Sequence, residues 1–107
     1  MKEYVVDANS ITSFDDFVSV FNKDFCSRVG GKWKGSPDAL IDYLSWPCRI
    51  PGLDTYRLKI LGADKCREVL DENVLQELGW AANSAETLFD AIVEIIRDND
   101  AVRLSLE

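Results

Sequence analysis

Two carboxylates four residues apart, Asp38 and Asp42, lie just behind Ser36-Pro37 in the run Asp38-Ala39-Leu40-Ile41-Asp42-Tyr43-Leu44. On a helix this spacing places both side chains on one face. They form a compact anionic prong, with Trp33 in the loop before it. Asp38 has a local explanation, since a carboxylate near a helix start gains roughly 0.3–1 kcal/mol from the helix dipole. Asp42 lies one turn further in, where a like-charged i,i+4 pair costs roughly 0.2–0.5 kcal/mol. It is therefore the stronger functional candidate. A second acidic series, Glu86, Asp90, Glu94 and Asp98, repeats at the same interval, and Arg97 is the only basic residue within it. Solvated helices ordinarily mix signs to gain i,i+4 pairs, so this spacing predicts a late helix with one wholly negative face.

The chemistry available to these groups is narrow. The chain has no histidine, which removes the usual general base, the usual imidazole metal ligand and the common nucleophilic triads. Gly30-Gly31-Lys32-Trp33-Lys34-Gly35-Ser36 lacks the order of a phosphate-binding loop and follows a helical pattern, not a strand, so it reads as a flexible loop. Asp98-Asn99-Asp100 lacks calcium-loop spacing and reads as the turn ending a helix. Cys26, Cys48 and Cys66 lie far apart without Cys-x-x-Cys spacing, the pattern of free thiols and not of a disulfide framework or zinc site. No cofactor or metal is expected. Carboxylate-only catalysis of the glycosidase kind is formally open, but so short a chain offers no inferable sugar groove, and a non-enzymatic role is expected. The net charge of −7 disfavours direct nucleic-acid binding, which depends on clustered Lys and Arg, and favours a basic partner.

The elements that must position these residues can be read from periodicity. Tyr4-Val5-Val6 is a strand; Asn9 to Ser13 make a turn, and Ser13 caps a helix whose apolar stripe is Phe14, Phe17, Val20/Phe21 and Phe25. Gly30-Gly31 end it. Ser36-Pro37-Asp38 start a short second helix, with Leu40, Ile41, Tyr43 and Leu44 toward the core, and Pro47 stops it. Pro51-Gly52 turn the chain into a strand over Tyr56 to Leu61, broken by Gly62. Asp71 to Leu78 supply one or two helical turns, and Gly79 and Asn83 punctuate the chain. Ser84 then caps a longer helix, with Ala85, Leu88/Phe89, Ile92 and Ile95/Ile96 as its buried stripe, and Val102 to Leu106 alternate as a last strand. The β-α-α-β-α-α-β order implies a single α/β domain over residues 1–107. It would have a three-stranded, largely parallel sheet and about four helices in two or three layers, with one sheet face better covered. The 47% hydrophobic content suffices for one core. The charged N-terminus and the absence of a long apolar run predict a soluble, intracellular protein.

The run Asp38-Ala39-Leu40-Ile41-Asp42-Tyr43-Leu44 after an aromatic-Gly loop resembles the signature of the barstar family, and the resemblance extends from the first strand to the final Ile/Leu-type strand. It implies a cytoplasmic ribonuclease inhibitor, an antitoxin or immunity protein whose second helix plugs the active site of a basic secreted bacterial ribonuclease. The partner's Arg/Lys groups would meet Asp42 as central anchor and Asp38 as second phosphate mimic. Trp33 matches the loop aromatic, Ile41, Ser45 and Trp46 complete the helix side of the contact, and Glu94 falls where the family adds a peripheral carboxylate. The free chain would be a monomer forming a 1:1 complex, with no membrane or nucleic-acid partner. The chain departs from the family pattern in a loop one residue shorter before Asp38, in Ser36-Pro37, in Ile41 at a frequently aromatic position, and in extra residues around 54–56 and 71–83. The alternatives are a same-fold immunity or adaptor protein for a non-ribonuclease partner, using the Glu86-to-Asp98 face, a carboxylate-dependent enzyme, or an acidic nucleic-acid decoy.

Overall fold

A computed structural model describes residues 2–49, 51–80 and 85–107. Alternation in the first strand, β1 (Glu3–Asp7), buries Tyr4 and Val6 and leaves Glu3, Val5 and Asp7 exposed. Two further strands, β2 (Tyr56–Leu61) and β3 (Val102–Leu106), join it in the order β1-β2-β3, both pairs parallel. The register aligns Tyr4 with Leu58 and Leu58 with Leu104, so residues of like orientation share a face. That face carries the helices. The other presents Glu3, Arg57 and Arg103 to solvent, which makes the domain two-layered.

Helix α1 (Phe14–Asp24) begins where Ser13 accepts a hydrogen bond from the Asp16 amide at 3.1 Å. Asp16 reciprocates, accepting from the Thr12 amide at 2.9 Å and the Thr12 hydroxyl at 2.6 Å, and these bonds hold its carboxyl below the usual range. Its buried Phe17 and Phe21, with Phe25 just beyond, build an aromatic core that continues into the sheet. Phe25 meets Tyr4 edge-on at 5.1 Å and stacks on Tyr56 at 5.9 Å. Helix α2 (Pro37–Ser45) follows the loop, and short 3-10 turns over Cys26–Val29 and Trp46–Arg49 close α1 and α2.

Between β2 and β3 the chain has three helices, α3 (Ala63–Val69), α4 (Glu72–Leu78) and α5 (Leu88–Arg97), so the described domain has five helices where about four were expected. The additional one is α3. Gly62, at φ 82°, does end β2, yet it also starts a helix whose Ala63, Cys66 and following Leu70 are buried at helical spacing. The last helix starts at Leu88 with Thr87 as its cap, not from Ala85. Its early amides donate to the junction between α3 and α4: Leu88 to the Asp71 carbonyl and Phe89 to the Leu70 carbonyl, both at 3.1 Å. Asn83 and Ser84, expected to punctuate and cap there, lie outside the described residues.

The three cysteines are free, and burial pushes the Cys26 and Cys66 thiols up to about 11. Among the described residues there is no metal-binding cluster, and no helix is long and apolar enough to cross a membrane.

Candidate functional site

Ser36-Pro37 act as their types predict: Pro37 is the first helical residue, and the Ser36 hydroxyl accepts from the Ala39 amide at 3.3 Å. Leu40 and Leu44 anchor α2 in the core. Three hydrogen bonds then fix its pose. The Tyr43 hydroxyl donates to the Lys32 carbonyl at 2.7 Å, and the Tyr56 hydroxyl, on the central strand, donates to the Leu44 carbonyl at 2.6 Å. Burial raises the Tyr56 pKa, so this donor stays protonated. At the far end the Asn99 amide donates to the Ser45 hydroxyl at 3.3 Å, linking α2 to the turn after α5.

The opposite side of α2 faces solvent. Asp38, Ile41, Asp42 and Ser45 occupy positions i, i+3, i+4 and i+7, a single stripe, and all four are exposed. Ile41, expected to point to the core, has 50% of its surface exposed, because Leu40 and Leu44 already fill the inward positions. Among the described residues neither Asp38 nor Asp42 forms an ion pair. Beside the stripe lies a groove of about 430 Å³ lined by Ile41, Ile95, Asp98, Asn99 and Asp100. It adds an apolar floor and two further carboxylates. These follow the last turn of α5, the negative end of its dipole, where acidic residues are locally unfavourable.

Trp33, expected at the partner surface, has none of its surface exposed. Its indole donates to the Ser36 carbonyl at 2.7 Å and packs edge-on against Phe14, Phe17 and Phe21. Asn22 of α1 grips its backbone on both sides, accepting from the amide at 2.5 Å and donating to the carbonyl at 2.6 Å. The tryptophan is thus a positioning residue, a peg that pins the loop leading into α2. The loop is accordingly clamped, not free. Trp46 is half-buried past the end of α2, its ring edge-on to Tyr43 at 4.6 Å and beneath the Arg49 guanidinium at 5.0 Å.

Glu94 is half-buried on α5. The four-carboxylate face expected of that helix does not form. Glu86 precedes the helix, Asp98 follows its last residue, and Asp90 lies 3.8 Å from the Nε of Arg67. That arginine arrives from α3, where its guanidinium also lies 5.5 Å from the centre of the Phe89 ring. No family model, curated protein or solved structure matches the chain.

What the stripe can do follows from its groups. Exposed carboxylates on one helix face are suited to pairing with external cations. Such pairs contribute only about 0.2–1 kcal/mol in water but strengthen when an apposed surface excludes solvent. Ile41 and the floor of the groove supply apolar area for that apposition.

Proposed function

We propose that the chain is a barstar-like protein inhibitor that blocks the active site of a basic ribonuclease with the exposed stripe of α2. The observation that carries this reading is the exposed pair Asp38 and Asp42 on either side of the exposed Ile41, neither in an ion pair among the described residues, on a helix anchored by Leu40, Leu44 and the Tyr56 hydroxyl. Two carboxylates on a fixed helix imitate the charge of successive phosphates, and a cleft that binds RNA presents the complementary cations. Inhibition needs no reaction, only occupancy. Asp42 would seat at the centre of the cleft, Asp38 and the groove carboxylates would meet cations around it, and Ser45 and Trp46 would flank the contact. The net charge of −7 would speed encounter with such a partner. As an antitoxin or immunity protein it would act in the cytoplasm, as a monomer forming a 1:1 complex. The rival reading, docking through α5, is weakened by the pairing of Asp90 with Arg67.

The test is titration of basic secreted ribonucleases with the purified chain, followed by RNA cleavage. Stoichiometric inhibition that Asp42→Ala abolishes and Glu86→Ala leaves intact is expected. No inhibition of any such enzyme, or equal losses in the two variants, would overturn the proposal.

A further inference from the structure

On another part of the surface the charge reverses. A cleft of about 390 Å³ is lined by Tyr4, Arg28, Val29, Trp46, Pro47 and Arg49, and no carboxylate contributes to its wall. Arg28 and Arg49 are both exposed, and among the described residues neither forms an ion pair. In a chain carrying 19 acidic and 12 basic residues, two uncompensated guanidinium groups in one depression make a local positive focus. The wall between them is apolar and aromatic, built from Val29, Pro47 and Trp46. Trp46 is held in place, edge-on to Tyr43 and stacked beneath Arg49. A Cβ at Gly31 would collide with the rings of both Tyr43 and Trp46, so the glycine turn after α1 is fitted closely against this wall.

We propose that this cleft binds a nucleoside monophosphate, its phosphate between Arg28 and Arg49 and its base against Val29, Pro47 and Trp46. Three considerations select that class. Guanidinium groups are matched to phosphate oxygens through paired N–H donors. An aromatic ring and an arginine plane accept the flat face of a base. The strongly negative remainder of the surface repels a polyanion, which restricts the ligand to one or a few phosphates. The volume also falls in the range of small-molecule sites, roughly 300–1,000 Å³. This cleft shares Trp46 with the flank of the proposed ribonuclease contact but is lined by none of the stripe residues Asp38, Ile41, Asp42 and Ser45, so nucleotide binding and ribonuclease inhibition can fail separately.

The experiment is amide and indole NMR titration of the full chain at low ionic strength with GMP, AMP, guanosine and inorganic phosphate. Saturable shifts at Arg28, Val29, the Trp46 indole and Arg49 are expected with either nucleotide, with weaker binding of phosphate or nucleoside alone. Arg28→Ala and Arg49→Ala should each weaken nucleotide binding roughly tenfold, the scale of one charge-assisted contact, while Arg97→Ala leaves it unchanged. The unbound spectra of these variants report whether each remains folded. Absence of saturable shifts, phosphate binding as tightly as the nucleotides, or unaltered affinity in both folded cleft variants would overturn the assignment.

Discussion

The helices α2 and α5 both carry carboxylates at intervals of four, yet the fold treats them differently. On α2 the pair Asp38 and Asp42 lies on an outward stripe and, among the described residues, forms no ion pair, while Leu40 and Leu44 sit in the core and the Leu44 carbonyl accepts from Tyr56. On α5 the series is dismantled: Glu86 falls outside the helix and Asp90 meets Arg67 from α3. An i+4 acidic repeat is therefore not itself evidence of a binding face. What distinguishes Asp90 from the α2 pair is a cation supplied by a distant segment, Arg67 of α3. The end of α5 does join the α2 surface, through Asp98 and Asp100 at the groove beside Ile41.

The difference can be broken most severely at Trp33. Replacing this fully buried ring with Ala should cost about 3–5 kcal/mol in chemical denaturation, the usual scale for deleting a core aromatic. It should also free the loop entering α2, so that amide exchange rises across residues 32–38 before it rises in α5. Next in size, Asp42→Ala should lose about 2–5 kcal/mol of affinity for an inhibited ribonuclease, by calorimetry, as expected when a charge desolvated in a complex loses its partner. Glu86→Ala should lose almost none. If the losses match, the two helices are functionally equivalent and the distinction fails.

A smaller effect is expected at Tyr56. Removing its hydroxyl as Tyr56→Phe leaves the Leu44 carbonyl without its donor and should cost about 1–3 kcal/mol of stability. Because the bond sits under the end of α2, affinity for the partner should fall as well, with the change concentrated in the dissociation rate. Smallest of all, Asp90→Ala should change stability by about 0.2–1 kcal/mol, since its pair with Arg67 is half-exposed and 3.8 Å long. A double-mutant cycle with Arg67→Ala measures that coupling directly.

Local chemistry made much of this arrangement legible. Apolar periodicity placed α1, α2 and the strands, and Ser13 and Ser36 marked two helix starts through hydrogen bonds that span only three residues. Helix α3 was also readable, because Ala63, Cys66 and Leu70 recur at helical spacing directly after Gly62, although the glycine suggests only a break. The groove left a fainter trace in Asp98 and Asp100, acidic residues at the wrong end of a helix dipole.

The sequence by itself determined the order of elements apart from α3, the two-faced strands and the cost of placing Asp42 behind Asp38, since each depends on neighbours within a turn or a pleat. Only the tertiary structure decided which charges remain uncompensated and which aromatic is a peg. Trp33 is buried because Asn22, eleven residues away on α1, takes both of its backbone groups while three phenylalanines enclose its ring. Arg67 reaches Asp90 across 23 residues of chain, and Ile41 shares a groove with Ile95. Exposure and charge compensation are set by contacts between distant segments, and no local period encodes them.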